Sequence, residues 1–117
     1  MARYVDGYVI PIKKAKMKAY KKMAEWGKRV WMKHGALDYY ETYMEEFAPH
    51  GLGFKKMCKL KAGETAIFAF VVYKSKTHRN QVNKKVHAEL ANAVPMMDMP
   101  FDMKKFAMAG CQVLTFG

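Results

Sequence analysis

The sequence predicts an α+β sandwich, a four-stranded antiparallel sheet with two helices on one of its faces. Three observations carry this. The run from Ala66 to Tyr73 is apolar on both faces, as in a strand covered from two sides. Two helical stripes flank a pair of strand-like runs, so the element order reads β-α-β-β-α-β. Each β-α-β unit crosses over right-handed and leaves room for one strand between its members. The first and third strands are then central, where a doubly apolar run belongs. At 117 residues the chain is expected to form one domain, 1–117, with a sizeable core.

Tyr4 to Ile10 alternates as a strand does, with Val5, Gly7 and Val9 on one face and Tyr4, Asp6, Tyr8 and Ile10 on the other. Pro11 is expected to end it. Asp6 is unusual in mid-strand: either it is exposed at a sheet margin or its carboxylate faces a pocket. From Lys14 to His34 the period changes. Tyr20, Met23, Ala24, Gly27, Val30 and Trp31 recur at spacings of three and four, with lysines opposite, and Gly35 ends the helix. Tyr20 and Trp31 read as core on this stripe. The first turn lacks a capping residue, and Lys13, Lys14 and Lys16 crowd the positive end of the dipole. Either the helix starts late or an anion sits there.

Leu37–Phe47 reads as a second strand whose acidic residues suit an edge. Residues 48–62 are too long for a simple hairpin loop; Phe54, Met57, Cys58 and Leu60 fit one helical turn or an extended bend. After the third strand, Ser75 caps a second helix with Val82, Val86, Leu90 and Ala93 on one face and Pro95 at its end. Met96–Lys105 is a loop, and Phe106–Phe116 closes the chain as a strand.

The net charge is +11, from 21 Lys and Arg against 10 Asp and Glu, and only Arg3, Arg29 and Arg79 of the bases are Arg. Lys is a solvated point charge, whereas base readout relies on guanidinium forks. The surplus therefore suits solubility or a nonspecific, salt-sensitive contact with nucleic acid. Cys58 and Cys111 lack metal-ligand spacing and read as free thiols in a reducing compartment. The stretch Met1–Asp6 has no apolar signal region, and no run approaches membrane-spanning length, so a cytoplasmic protein without membrane contact is expected.

With both helices on one face, the other sheet face is left bare, presenting Phe68, Phe70 and Tyr8. Such a patch is rarely left unused. RNA is one occupant: the RNA-recognition-motif fold has the same strand order and stacks bases on aromatic residues. Phe68-Ala69-Phe70-Val71-Val72-Tyr73 fits the last six positions of its third-strand signature. Ala66 and Ile67 stand where that signature wants a base and a glycine. A second copy of the chain is the other occupant.

The blocks Tyr4-Val5-Asp6-Gly7-Tyr8-Val9-Ile10-Pro11 and His34-Gly35-Ala36-Leu37-Asp38-Tyr39-Tyr40-Glu41, with Lys61-Ala62-Gly63-Glu64-Thr65, a Ser75-x-x-His78-Arg79 motif and Met99-Pro100-Phe101-Asp102, follow one another along the chain. In this pattern the chain resembles the YbaA-like family, a bacterial domain of unknown function in the dimeric α/β-barrel superfamily. The resemblance implies a homodimer of two ferredoxin-like sheets packed face to face, and no established activity, cofactor or catalytic residue. Phe70 stands where the family usually has Trp, Asn80 where it has an acidic residue, and Met103 where it has Gly.

Asp6, Tyr8, Tyr39 or Tyr40, and Glu41 are candidates to line a small-molecule pocket between sheet and helices, where carboxylates and a histidine could serve acid–base work. Phe68 and Phe70 join them from the third strand, and His78 and Arg79 from the second helix. With Ser75 as cap, His78 falls in the first turn, where the helix dipole and nearby lysines disfavour imidazolium. Relatives in the superfamily include haem-degrading and cofactor-independent monooxygenases with a histidine near this position. Asp6 and Phe70 would take the places of the Asn and Trp of the haem-degrading branch. Met96, Met97, Met99 and Met103 form a thioether cluster of the type that holds Cu(I), or simply fill space. No metal motif, phosphate loop or Ser-His-Asp arrangement is legible, and no cofactor is expected. A partner-binding scaffold without pocket chemistry is the remaining alternative.

Overall fold

The computed structural model describes residues 3–92 and 99–117. Its strands are β1 (Tyr4–Lys13), β2 (Asp38–Tyr43), β3 (Glu64–Tyr73) and β4 (Ala107–Gln112), and its helices α1 (Met17–Lys33), α2 (Phe54–Met57) and α3 (Lys76–Leu90). The strands form one antiparallel sheet in the order β2-β3-β1-β4, with β1 and β3 central. α1 and α3 pack on one face. This is the ferredoxin-like α+β arrangement that the element order implies.

β1 does not stop at Pro11 but runs to Lys13. Met44 donates its backbone N–H to the Ala66 carbonyl, so Ala66 turns its polar groups toward β2. Pro11, opposite Ala66, therefore turns its nitrogen away from β3, to the side where β4 has already ended at Ala107 opposite Val9. No ladder bond is lost there, and proline is tolerated.

The outer strands are shorter than expected. β4 ends at Gln112, opposite Tyr4, with one further bond from the Val113 N–H to the Arg3 carbonyl at 3.1 Å. β2 ends at Tyr43, opposite Ile67. α1 starts late: Lys14–Lys16 form a single 3₁₀ turn before it, and its cap residue Lys16 makes no side-chain cap. It ends in a Schellman motif, with Gly35 at φ 111° and the Ala36 N–H donating to the Trp31 carbonyl. The 48–62 connection takes the helical-turn alternative, as α2. Ser75 Oγ accepts from the His78 N–H at 3.1 Å and caps α3. Ala93, Pro95, Met96 and Met97 lie outside the described residues. Among the described residues no helix is long and apolar enough to cross a membrane.

Two core clusters form under the helices. One gathers Tyr4, Val71 and Tyr73 with Val30 of α1 and Val82 and Val86 of α3. The other gathers Ile10, Ile12, Ile67 and Ala69 with Tyr20 and Ala24 of α1. Tyr8 packs against both. The expectation that Tyr8 belongs to the bare face is corrected here. Its cross-strand partner is Ala69, a buried residue of the helix side, and directly paired residues share a face.

Candidate functional site

Where the two clusters meet, the helix side of the sheet holds a partly open cavity of about 250 Å³. β2 contributes Tyr39 and Glu41, opposite Val71 and Ala69, because alternate strand residues share a face. α1 supplies Tyr20, Trp26 and Trp31, and the chain after α3 supplies Phe101 and Phe106. Their rings touch in sequence: Phe101 stacks on Phe106 at 6.0 Å between centroids, Phe106 meets Tyr8 at 5.7 Å, and Phe101 meets Tyr20 at 5.9 Å.

Among the described residues one carboxylate, that of Glu41, stands in this aromatic setting. Tyr20 donates its hydroxyl to Glu41 Oε1 and Tyr39 donates to Oε2, each at 2.7 Å. Burial pushes both phenols well above their ordinary range, and the Glu41 charge and hydrogen bonds push them further. Tyr8 is raised by burial, then by the charges of Asp6 and Glu41. These tyrosines are therefore neutral at any physiological pH, with Tyr20 and Tyr39 as donors to Glu41. Gly27 lets α1 come down onto this cluster, for a Cβ there would stand 2.9 Å from Tyr39 Oη.

Asp6 belongs to a separate, buried network. Its side chain is fully buried; Oδ1 accepts from Arg79 Nη1 at 2.8 Å and Oδ2 from Asn83 Nδ2 at 3.2 Å. Asn83 Oδ1 in turn accepts from Tyr73 Oη at 3.0 Å and Trp31 Nε1 at 3.1 Å. Arg79 also lies over the Tyr4 ring, 4.8 Å from its centroid. This ties β1, β3, α1 and α3 together, and it explains an aspartate in mid-strand.

His78 sits apart from the cavity, at the start of α3. Its Nδ1 accepts the Lys74 N–H at 3.0 Å, and burial, then Lys74 and Lys85, lowers its pKa. Because Nδ1 accepts this bond it carries no proton, and the ring braces the residue before the Ser75 cap.

Phe68 and Phe70 lie on the opposite face of the sheet. Tyr40 stacks on Phe70 at 5.1 Å, and Phe68 meets Phe70 at 6.0 Å. A second hollow, of about 610 Å³, opens on this side between Phe68 and the segment carrying α2.

The residues grouped in the sequence as one pocket thus fall in four places. Tyr8, Tyr39 and Glu41 line the cavity, which Tyr40 also borders; Asp6 and Arg79 form the ion pair; His78 accepts the Lys74 N–H just ahead of α3; Phe68 and Phe70 face away. The haem-degrading set of Asp6, Phe70 and His78 shares no cavity, since Asp6 and Phe70 are on opposite faces. Tyr20 is core and Trp31 packs against the core, as their spacing predicts, and both also form cavity wall, together with Trp26, Phe101 and Phe106, which no period in the sequence marks as pocket residues. Among the described residues no group of three or more His, Cys, Asp or Glu could hold a metal. Met96 and Met97 of the thioether cluster lie outside the described residues. Cys58 and Cys111 are free.

A sequence model described as "Protein of unknown function (DUF1428)" matches residues 3–103. The chain is 29% identical over 110 residues to the uncharacterized protein YbaA of Escherichia coli K12, covering 92% of this chain and 93% of that one, and equally to YbaA of Shigella flexneri. A crystal structure described as a dimeric ferredoxin-like protein from an uncultured marine organism superposes with a TM-score of 0.67 at 10% identity, over the whole of both chains.

Proposed function

Since the chain belongs to the DUF1428 family of proteins of unknown function, we propose that it is a homodimeric small-molecule binder whose ligand enters the cavity between sheet and helices. The observation that carries this is the cavity itself, an aromatic-lined hollow that holds the hydrogen-bonded carboxylate of Glu41. A mostly apolar hollow with a few convergent polar groups is the usual form of a ligand site. Sites for drug-sized molecules begin at about 300 Å³, so a cavity of about 250 Å³ suits a ligand about the size of a substituted benzene. Trp26 and Trp31 in the wall provide the readout. Titration with 2-phenylethanol should change their fluorescence saturably, and Ala69→Leu, which fills the floor, should remove the change. A flat titration to millimolar probe would refute the reading.

The second copy is assigned to the far face. Its exposed or half-buried residues include Phe68, Phe70, Tyr40 and Met108's neighbours Ala107 and Ala109. By the strand register its charged residues are Asp38, opposite Val72, and the pair Lys13 and Glu64 at the end of β1 and the start of β3; among the described residues the strand positions directly beside Phe68 and Phe70, which are Gly7, Val9, Tyr40 and Thr42, carry no Lys or Arg. Single-stranded nucleic acid needs cations along its backbone beside the stacking rings, so this face suits another apolar sheet better than RNA. The dimeric state of the marine ferredoxin-like protein supports the same reading. Sedimentation at micromolar protein in high salt should give a dimer, and Phe70→Asp a monomer. A monomeric unmodified chain, or tight binding of single-stranded RNA abolished by Phe70→Ala, would overturn it.

A further inference from the structure

The charge distribution around the cavity narrows the class of ligand. The chain carries 21 Lys and Arg, yet none lines the cavity among the described residues. Its basic lining group is His87, at the rim of the α3 side, and its acidic one is Glu41. A carboxylate has about four lone-pair sites; Tyr20 and Tyr39 occupy one on each oxygen, leaving acceptors for a ligand donor. The walls around it include the side chains of Tyr8, Trp26, Trp31 and Tyr39. Aromatic faces attract cations, most strongly when water is excluded.

On the reading that this cavity binds a small molecule, we infer that its ligand is a small organic cation, a protonated amine on an aromatic body. The ammonium group would sit against Glu41, where charge-assisted hydrogen bonds are strong, and the body would fill the ring-lined remainder. An anion would meet the Glu41 charge with no cation to offset it. A neutral ligand would leave that charge unpaired. Tyr20 and Tyr39 act as positioning residues: they hold the carboxylate's orientation and, staying neutral, add no competing charge.

Three probes of nearly one shape test this on the full chain: 2-phenylethylamine, 2-phenylethanol and phenylacetate, each by calorimetry and by the fluorescence of Trp26 and Trp31. The amine should bind about tenfold tighter than the alcohol, the amount expected of one charge-assisted contact in an aromatic site, and phenylacetate weakest. Glu41→Gln keeps the side-chain shape and should erase the amine's advantage over the alcohol. Circular dichroism checks that the variant is folded, and the three-probe ranking on the unmodified chain stands without it. Equal binding of amine and alcohol, or tighter binding of phenylacetate, overturns the cation assignment and leaves the cavity reading intact. Failure of all three to bind overturns both.

Discussion

Gly27→Ala asks whether the cavity cluster fixes the approach of α1. In a helix interior, alanine is favoured over glycine by about 1 kcal/mol. Read from propensity alone, the change stabilises. The structure sets a larger effect against it. The new Cβ would stand 2.9 Å from Tyr39 Oη and 3.7 Å from the Trp31 ring. Tyr39 cannot swing away freely, because its hydroxyl is bound to Glu41 at 2.7 Å and its ring packs on Trp31 at 6.0 Å. Displacing it gives up a hydrogen bond to a charged group, about 1.5–3 kcal/mol. The net is a destabilisation of roughly 0.5–2 kcal/mol. Urea unfolding followed by circular dichroism measures it as a lower midpoint at constant slope. In a Tyr39→Phe background the clashing atom is gone, so Gly27→Ala should become neutral or stabilising. The double-mutant cycle isolates that coupling. Stabilisation by about 1 kcal/mol with Tyr39 intact, and no coupling, would refute the account of Gly27.

Two further outcomes follow from the buried polar groups. Asp6→Ala leaves Arg79 enclosed without its carboxylate, with Nε already lacking a partner, and should cost roughly 3–5 kcal/mol by the same denaturation assay; a loss below about 1 kcal/mol would mean that the pair behaves as a surface one. Tyr8, Tyr20, Tyr39 and Tyr73 all have folded-state pKa values raised above the ordinary 10.0. The unfolded chain therefore releases protons first, so their contribution is fully present below about pH 10 and is lost as pH rises beyond it. Alkaline titration followed at the phenolate absorbance should show four of the seven tyrosines ionising only together with loss of the circular dichroism signal; smooth ionisation of all seven in the folded state would contradict their placement.

How far the chain was legible follows from what each signal physically encodes. Period and punctuation report which face of an element is turned inward, and they sufficed for the element order, the central position of β3 and the Ser75 cap. They do not report whether an inward face is filled. Tyr20 and Trp31 satisfy the same three-and-four spacing whether they close against neighbours or leave a hollow. A cavity is a remainder, set by volumes summed over β2, α1 and the chain after α3, at the density to which interiors pack. Register across strands is also silent in a single strand. The alternation in β1 puts Tyr8 with Asp6, but only its pairing with Ala69 says which side of the sheet they share.

One residue did carry the missing information. A glycine amid good helix formers is costly in a helix interior, so Gly27, on the stripe with Tyr20 and Trp31, marks a close approach by another group. That group is the Tyr39 hydroxyl, itself bonded to Glu41. A mid-helix glycine and a carboxylate on the inward face of an edge strand are each unfavourable alone. They become compatible once the strand's phenol needs the space the glycine leaves. The same step links the fold to the proposed ligand, because the phenol that Gly27 accommodates is one of the two that orient the cavity's carboxylate.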